Sequence, residues 1–317
     1  FKYKKFSGVW IMAYTTIDKP DEYFNTLLYT GTGSNLTLSG MDFQADWVWV
    51  KRRNAVAGHK TADVVRGFGA SGKVLSQQSS SSESTQDLIE SFTSDGYVVG
   101  TDSSDFNTSG GTYVTWNWRA GGSASSNSDG SVTSSVSANT AAGFSVVGGE
   151  AVNTSPFNST APTSSVFTIA NSNYTDTNQS GEDFIAYCFH SVKGYSKFGK
   201  YTGNGSDNGP FVWTGFKPAF LMIKSISAGG TYYNWGMWDN KRSPLNVNNK
   251  ILAANRNDDE SNASNLGTDR NVDFLSNGFK QRRGISENYN ASGVSYMYMA
   301  FAENPFVTSE GVPATAR

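Results

Sequence analysis

The sequence predicts an all-β chain of tandem jelly-roll-like β-sandwich repeats, two full and one truncated. Three observations carry that expectation. One closing phrase occurs three times, as Gly110–Trp118 (GGTYVTWNW), Gly181–Phe189 (GEDFIAYCF) and Gly293–Phe301 (GVSYMYMAF). Within each copy, large apolar residues recur at every second position: Val114/Trp116/Trp118, Ile185/Tyr187/Phe189 and Met297/Met299/Phe301. That period of two marks a strand with one bulky face and one lighter face. Composition agrees, because aromatics reach 14% and charged residues only 16%, against roughly 25% charged in ordinary soluble domains. Gly or Asn interrupts nearly every stretch that could be helical, and ring side chains suit pleated, half-buried surfaces.

Residues 1–24 read as an extended arm, broken by Asp18-Lys19-Pro20-Asp21. Residues 25–121 form the first full repeat. It opens on Tyr29-Thr30-Gly31 and continues through Phe43–Lys51, whose apolar run Trp47–Val50 predicts a strand buried on both faces. Asp95-Gly96 supplies the turn of a tight hairpin. Residues 122–142 read as a Gly/Ser-rich connector with one thin polar strand around Val132 and Val136. Residues 143–194 are the truncated repeat, which reads as the second half of the unit, with Ser164–Ile169 standing where Ser94–Val99 stands. Residues 195–305 repeat the whole pattern, with Tyr201-Thr202-Gly203, the Phe216–Lys224 strand and the Asn277-Gly278 turn; 306–317 is an irregular tail. Strands with one apolar face must cover it, usually with a second sheet. The half repeat has too few strands for a core of its own and should pack on a neighbour.

Chemistry is sparse. The net charge of −2 gives no electrostatic case for nucleic acid, and no stretch is long and apolar enough for membrane insertion. Only His59 and His190 occur, at unrelated repeat positions and without a nucleophile elbow. With one cysteine, Cys188, they cannot complete an ordinary zinc site. Asp258-Asp259-Glu260 lacks the ligand spacing of a calcium loop. No metal, no cofactor and no enzymatic activity are expected. A glycosidase needs two facing carboxylates; Asp87 and Asp95 can be nominated, but Asp95 is a turn residue matched by Asn277. The basic runs Lys51-Arg52-Arg53 and Gln281-Arg282-Arg283 end strands and read as solvated loop charge.

Two constellations remain. Asp63/Arg66 and Asp239/Arg242 keep the same D-x-x-R spacing in both full repeats. Such a pair could grip a ligand, but in a turn the carboxylate caps backbone N–H groups while Arg pairs with it, and the structural reading is preferred. Tyr232, Tyr233, Trp235 and Trp238 are the best candidates for a sugar platform. Against this, Tyr233/Trp235/Met237 alternate as a core strand would.

The Y-T-G-x-G-S opening, the strand ending in Lys, D-x-x-R, the F-x-S-[DN]-G-[YF] hairpin and the closing phrase together resemble the repeats of virion structural proteins of marine tailed phages. Asp129–Asn139 and Glu303–Thr308 share the likeness. The resemblance implies a non-enzymatic virion protein on the extracellular particle surface, a tail fibre or appendage in preference to a capsid decoration. Other virion proteins are the implied partners, with a homo-oligomer, first of all a trimer, and attachment to a host-surface glycan. The alternatives are a carbohydrate-binding module and a polysaccharide depolymerase.

Overall fold

A computed structural model of the chain describes residues 3–6, 9–12, 14–101, 104–129, 133–150, 163, 166–169, 179, 181–229, 233–260, 270–282 and 289–314, with backbone only for 3–12 and 148–150. The chain is all-β. A hairpin of β1 (Tyr3–Phe6) and β2 (Val9–Met12) leads into the arm, which a 3-10 turn at Pro20–Glu22 ends.

The first unit contains β3 (Phe24–Thr30), β4 (Leu36–Leu38), β5 (Trp47–Arg52), β6 (His59–Asp63), β7 (Lys73–Ser76), β8 (Ser84–Thr85), β9 (Ile89–Thr93), β10 (Gly96–Val99) and β11 (Thr112–Trp118). They form a large antiparallel sheet, β3-β11-β5-β6-β7-β8, and a small one, β4-β10-β9. The middle unit is a single sheet of β12 (Ser125–Asn127), β13 (Ser134–Asn139), β14 (Phe144–Glu150) and β15 (Asp183–Phe189). The last unit comprises β16 (Ser196–Thr202), β17 (Phe211–Trp213), β18 (Phe216–Ser225), β19 (Gly236–Asp239), β20 (Leu252–Ala253), β21 (Val272–Leu275), β22 (Gly278–Gln281) and β23 (Ser295–Pro305). Its large sheet is β16-β23-β18-β19-β20 and its small sheet β17-β22-β21.

Strand register makes the three units equivalent. Trp118 lies opposite Trp47, Phe189 opposite Phe144, and Phe301 opposite Phe220. On the next strand, Trp47 faces Asp63, Phe144 faces Asn139, and Phe220 faces Asp239. The middle unit therefore retains the core strands of the large sheet, and this corrects the expectation that it is a second half. Phe144–Glu150 is its version of the strand that ends in Lys elsewhere. Of the Ser164–Ile169 segment, Val166–Ile169 form no regular element and the rest lies outside the described residues, as does Val132.

Both faces of the large sheets are buried, each in a different core. In the first unit Val48, Val50, Tyr97 and Tyr113 pack between its own two sheets. The lighter face of β11 is polar yet fully buried: Tyr97 and Thr115 share a 2.8 Å hydroxyl–hydroxyl bond, and Thr115 donates to Asn117. The last unit has the same internal core around Phe216, Trp238, Phe279 and Tyr296. The bulky faces of all three units meet in a third core, where Trp47, Trp116 and Trp118 join Phe144, Tyr187 and Phe189, and Phe220, Met299 and Phe301.

Its centre is a ring trio drawn from one sequence column. Trp118, Phe189 and Phe301 contact one another at centroid distances of 6.5, 5.7 and 5.6 Å, each pair edge to face at 63°, 64° and 70°. That is the preferred geometry for aromatic quadrupoles. Near-equal angles among equivalent residues place an approximate threefold axis through the trio. One chain closes it.

Turn residues repeat with the same function. The opening Gly of the closing phrase has positive φ in all three units, 75° at Gly110, 82° at Gly181 and 76° at Gly293, a conformation that costs other residues steric strain. A Cβ on Gly31 would sit 2.3 Å from the Thr108 carbonyl, and one on Gly203 2.3 Å from that of Ala291.

Candidate functional site

A dense cluster of charged and titratable side chains lies where the last unit meets the first. Asp239 ends β19, fully buried, and its Oδ1 accepts the N–H groups of Lys241 and Arg242 at 3.1 and 2.8 Å. Its Oδ2 accepts from Arg242 Nε at 2.5 Å and from Trp116 Nε1 of the first unit at 3.1 Å. The Arg242 guanidinium stands 5.5 Å from the Trp116 ring centre, donates to the Met237 carbonyl at 3.0 Å, and reaches Glu260 at 3.4 Å. Glu260 is in turn gripped by Arg53 of the first unit through two bonds of 2.9 and 3.1 Å. Lys51 and His59 are buried beside this chain of charges.

The other full repeat builds the same turn. Asp63 caps Val65 and Arg66 N–H at 3.1 and 3.0 Å and accepts from Arg66 Nε at 2.7 Å. Its second-unit partner is Tyr187, whose hydroxyl donates to Asp63 at 2.8 Å and accepts from Arg66 at 3.0 Å. Trp116 and Tyr187 occupy one column of the closing phrase. Each D-x-x-R turn thus takes a donor from the equivalent strand of the next unit around the axis.

The third seam departs from this. Asn139 holds the Asp position, and its Oδ1 accepts the Ala142 N–H at 3.0 Å, so Ala142 holds the Arg position. The column that supplies Trp116 and Tyr187 holds Met299 in the last unit. Carboxylate, guanidinium and donor are all replaced at once.

Electrostatics follow from burial. Burial pushes the Lys51 ammonium down to about 8, opposed by the carboxylates of Asp259, Asp105, Asp258 and Glu260. Lys51 Nζ donates to the carbonyls of Arg52 and Asn257 at 2.9 and 3.4 Å, and its counterpart Lys224 likewise donates to the Tyr233 carbonyl at 2.8 Å. His59 is held well below the usual imidazole range by burial first and by the charges of Lys51 and Arg242 second. Its Nδ1 accepts from Trp49 Nε1 at 2.9 Å. Burial raises the Tyr187 hydroxyl, helped by the Asp63 carboxylate. These shifts belong to a closed interface: neither of two open hollows, about 610 and 590 Å³, is lined by any of these residues. Lys51 and Arg53 are therefore not the solvated loop charges expected from sequence. Of the other basic run, Gln281 is buried, Arg282 pairs with Asp273, and Arg283 lies outside the described residues.

Of the four residues expected to form a sugar platform, Trp238 is placed where it cannot serve. Trp238 is fully buried in the last unit's core, its Nε1 donating to the Arg270 carbonyl at 2.9 Å and its ring set edge-on against Tyr289. Trp235 packs half-buried against the central core. Tyr233 is half-buried, and Tyr232 lies outside the described residues. The strand alternation dominates: a ring buried against protein on both faces has none left for a pyranose.

Asp87 and Asp95 do not face each other across a hollow. Asp87 lines the larger one and accepts the Thr101 N–H at 3.1 Å. Asp95 caps the N–H groups of Gly40, Met41 and Asp42 at 2.9, 3.0 and 2.8 Å, and these bonds hold its carboxyl below the usual range. Cys188 is half-buried and His190 is exposed. Among the described residues no group of three or more His, Cys, Asp and Glu side chains is placed to hold a metal ion.

Sequence reasoning missed Asn107 and Asn290. Each is buried, accepts the N–H of Thr32 or Asn204 at 3.0 Å, and donates to the carbonyl of Ser34 or Ser206. Both lock the Y-T-G turn. The sequence signal was their shared place, three residues before the Gly that opens the closing phrase.

Residues 19–155 and 148–305 each match the model of one family, described as Domain of unknown function (DUF7483), and the two matches overlap inside the middle unit. No curated protein and no solved structure matches the chain.

Proposed function

We propose, for a chain that belongs to the DUF7483 family and carries its domain twice, a non-enzymatic structural role on a virion surface, in a tail fibre or appendage. The observation that carries the reading is the ring trio of Trp118, Phe189 and Phe301, through which one chain assembles three equivalent β units about an approximate threefold axis. Rigid threefold bodies suit an appendage that must survive outside a cell, and the resemblance to phage virion repeats points the same way. The charged chain supports it too: Asp239, Arg242 and Glu260 of the last unit are tied to the first unit through Trp116 and Arg53. A depolymerase would need its carboxylates free in a groove.

Immunogold labelling of purified particles tests the placement. Label at the tail or its appendages is expected, and label absent from particles overturns the reading. Analytical ultracentrifugation tests the assembly. The central core is filled by contacts within one chain, so the homo-oligomer, first of all a trimer, would associate through other surfaces. Sedimentation as an oligomer is expected, and a clean monomer at micromolar concentration counts against it.

A further inference from the structure

The two full units differ on the outer face of the small sheet. In the last unit β17 presents Phe211 and Trp213 to solvent, 47% and 48% exposed, with Val212 pointing into the core. Register assigns their counterparts. Val212 pairs with Phe279 as Leu38 pairs with Tyr97, so Phe211 and Trp213 stand where the first unit has Thr37 and Ser39. The fold does not require rings there, since the first unit builds the same sheet without them.

The rings come with positive charge. Lys197 Nζ lies 4.5 Å from the Trp213 ring centre, and Lys193 Nζ lies 4.4 Å from that of Tyr14. Tyr14 and Trp213 flank Gly215, each 3.1 Å from where its Cβ would be. Lys280 lies opposite Phe211, and the acid across from it, Asp273, is engaged by Arg282. None of the three lysines belongs to an ion pair among the described residues. The Phe211 edge lies 3.0 Å from the Cβ position of Gly278 on the adjacent strand, so the ring covers that strand.

We propose that Phe211, Trp213 and Tyr14, with Lys193, Lys197 and Lys280, form a binding strip for an acidic glycan. Exposed rings offer apolar faces to the C–H faces of pyranoses. Same-face residues on a strand repeat at about 6.6 Å, a spacing on the scale of neighbouring sugar rings. Unpaired ammonium groups beside the rings select carboxylated or sulfated sugars over neutral ones by charge complementarity. The inference stands on surface geometry and holds whatever particle carries the chain.

The test uses the full chain on an array of acidic glycans (polygalacturonate, hyaluronate, sulfated and sialylated oligosaccharides) beside neutral maltose and cellulose oligomers. Acidic members should bind, more weakly as salt screens the lysines. The double variant F211T/W213S carries the first unit's residues and so should fold; it should bind at least about tenfold more weakly, a loss of about 1.4 kcal/mol. K197Q should weaken binding to acidic glycans while leaving the melting temperature unchanged. Failure of every acidic glycan to bind, equal binding of neutral oligomers, or unchanged affinity in a folded F211T/W213S protein overturns the proposal. If instead wild type sediments as an oligomer and F211T/W213S as a monomer, the strip belongs to a second copy of the chain and the glycan assignment falls.

Discussion

The seam between the last and first units and the seam between the middle and last units use equivalent strands, but only the former carries a carboxylate–guanidinium pair at the turn positions. At the charged seam Asp239, Arg242 and Trp116 form a closed set: the carboxylate accepts from the turn, the guanidinium and the indole. At the neutral seam Asn139, Ala142 and Met299 stand in the same places. Asn139 still caps the turn. The turn and the ion pair are therefore separable, whereas the members of the ion pair are not. A buried guanidinium without its carboxylate carries a large desolvation cost, and a carboxylate without its donors does too. Sheet geometry tolerates either complete set.

The largest expected effect breaks the charged seam. Replacing Asp239 by Ala strips the fully buried Arg242 of its nearest carboxylate, leaving it only Glu260 at 3.4 Å, and frees Trp116 Nε1. It should cost about 3–5 kcal/mol, read as a lower midpoint in urea unfolding. Asp63→Ala should cost less, because the Arg66 guanidinium is partly exposed where that of Arg242 is fully buried. An equal loss in both variants would show that the inter-unit donor, not burial, sets the scale. Next in size is the reverse experiment at the neutral seam. Ala142→Arg alone should destabilise by about 2–4 kcal/mol, as an unpaired buried charge. Adding Asn139→Asp should recover part of that loss, and non-additivity in a double-mutant cycle is the sign of a restored pair. Strict additivity would mean that the two positions do not meet. Smaller again, Tyr187→Phe should cost about 1–3 kcal/mol by removing the hydroxyl between Asp63 and Arg66. The same substitution should leave the last-to-first seam, and hence the Trp116 environment, unchanged in fluorescence.

Much of this architecture was legible in the closing phrase. Trp118, Phe189 and Phe301 could be placed in one column because a period of two survives any change of side-chain identity. The D-x-x-R turns were legible for a similar reason, as local motifs. The middle unit's outer strands were not, since Ser134–Asn139 shares almost no residue type with His59–Asp63 and is recognised only by what it pairs with. The burial of Lys51 and the pairing of Arg53 were equally hidden. Their partners, Asn257 and Glu260, lie some two hundred positions away in the last unit, and a basic run at a strand end looks solvated until another unit covers it. Trp238 shows the opposite case: rings at alternate positions were read both as core and as surface, and the covered faces of the sheet put this ring in the core. Phe211 and Trp213 alternate in the same way on a strand whose outer face is open.

The smallest effect concerns pH and separates the two full units once more. His59 opens β6 in the first unit, fully buried, where its imidazole accepts from Trp49 and faces the charges of Lys51 and Arg242. The equivalent position in the last unit is Trp235, which does not titrate: Lys51 lies across from His59 as Trp49 lies across from Thr61, and Met222 across from Met237. Because the folded-state pKa of His59 is depressed, the unfolded chain binds a proton near pH 6.5 that the folded chain refuses. Stability is therefore fully present above that value and falls as pH drops below it, by at most about 1.4 kcal/mol per pH unit for one site. The sign is opposite to that of a histidine paired with a carboxylate. Urea midpoints measured between pH 7.5 and 5.5 should decline in the wild type, and His59→Gln should flatten that decline while lowering the midpoint at pH 7.5 through loss of packing beside Trp116. A decline of equal slope in His59→Gln would assign the pH dependence to another group, and the closed, neutral imidazole at this seam would no longer account for it.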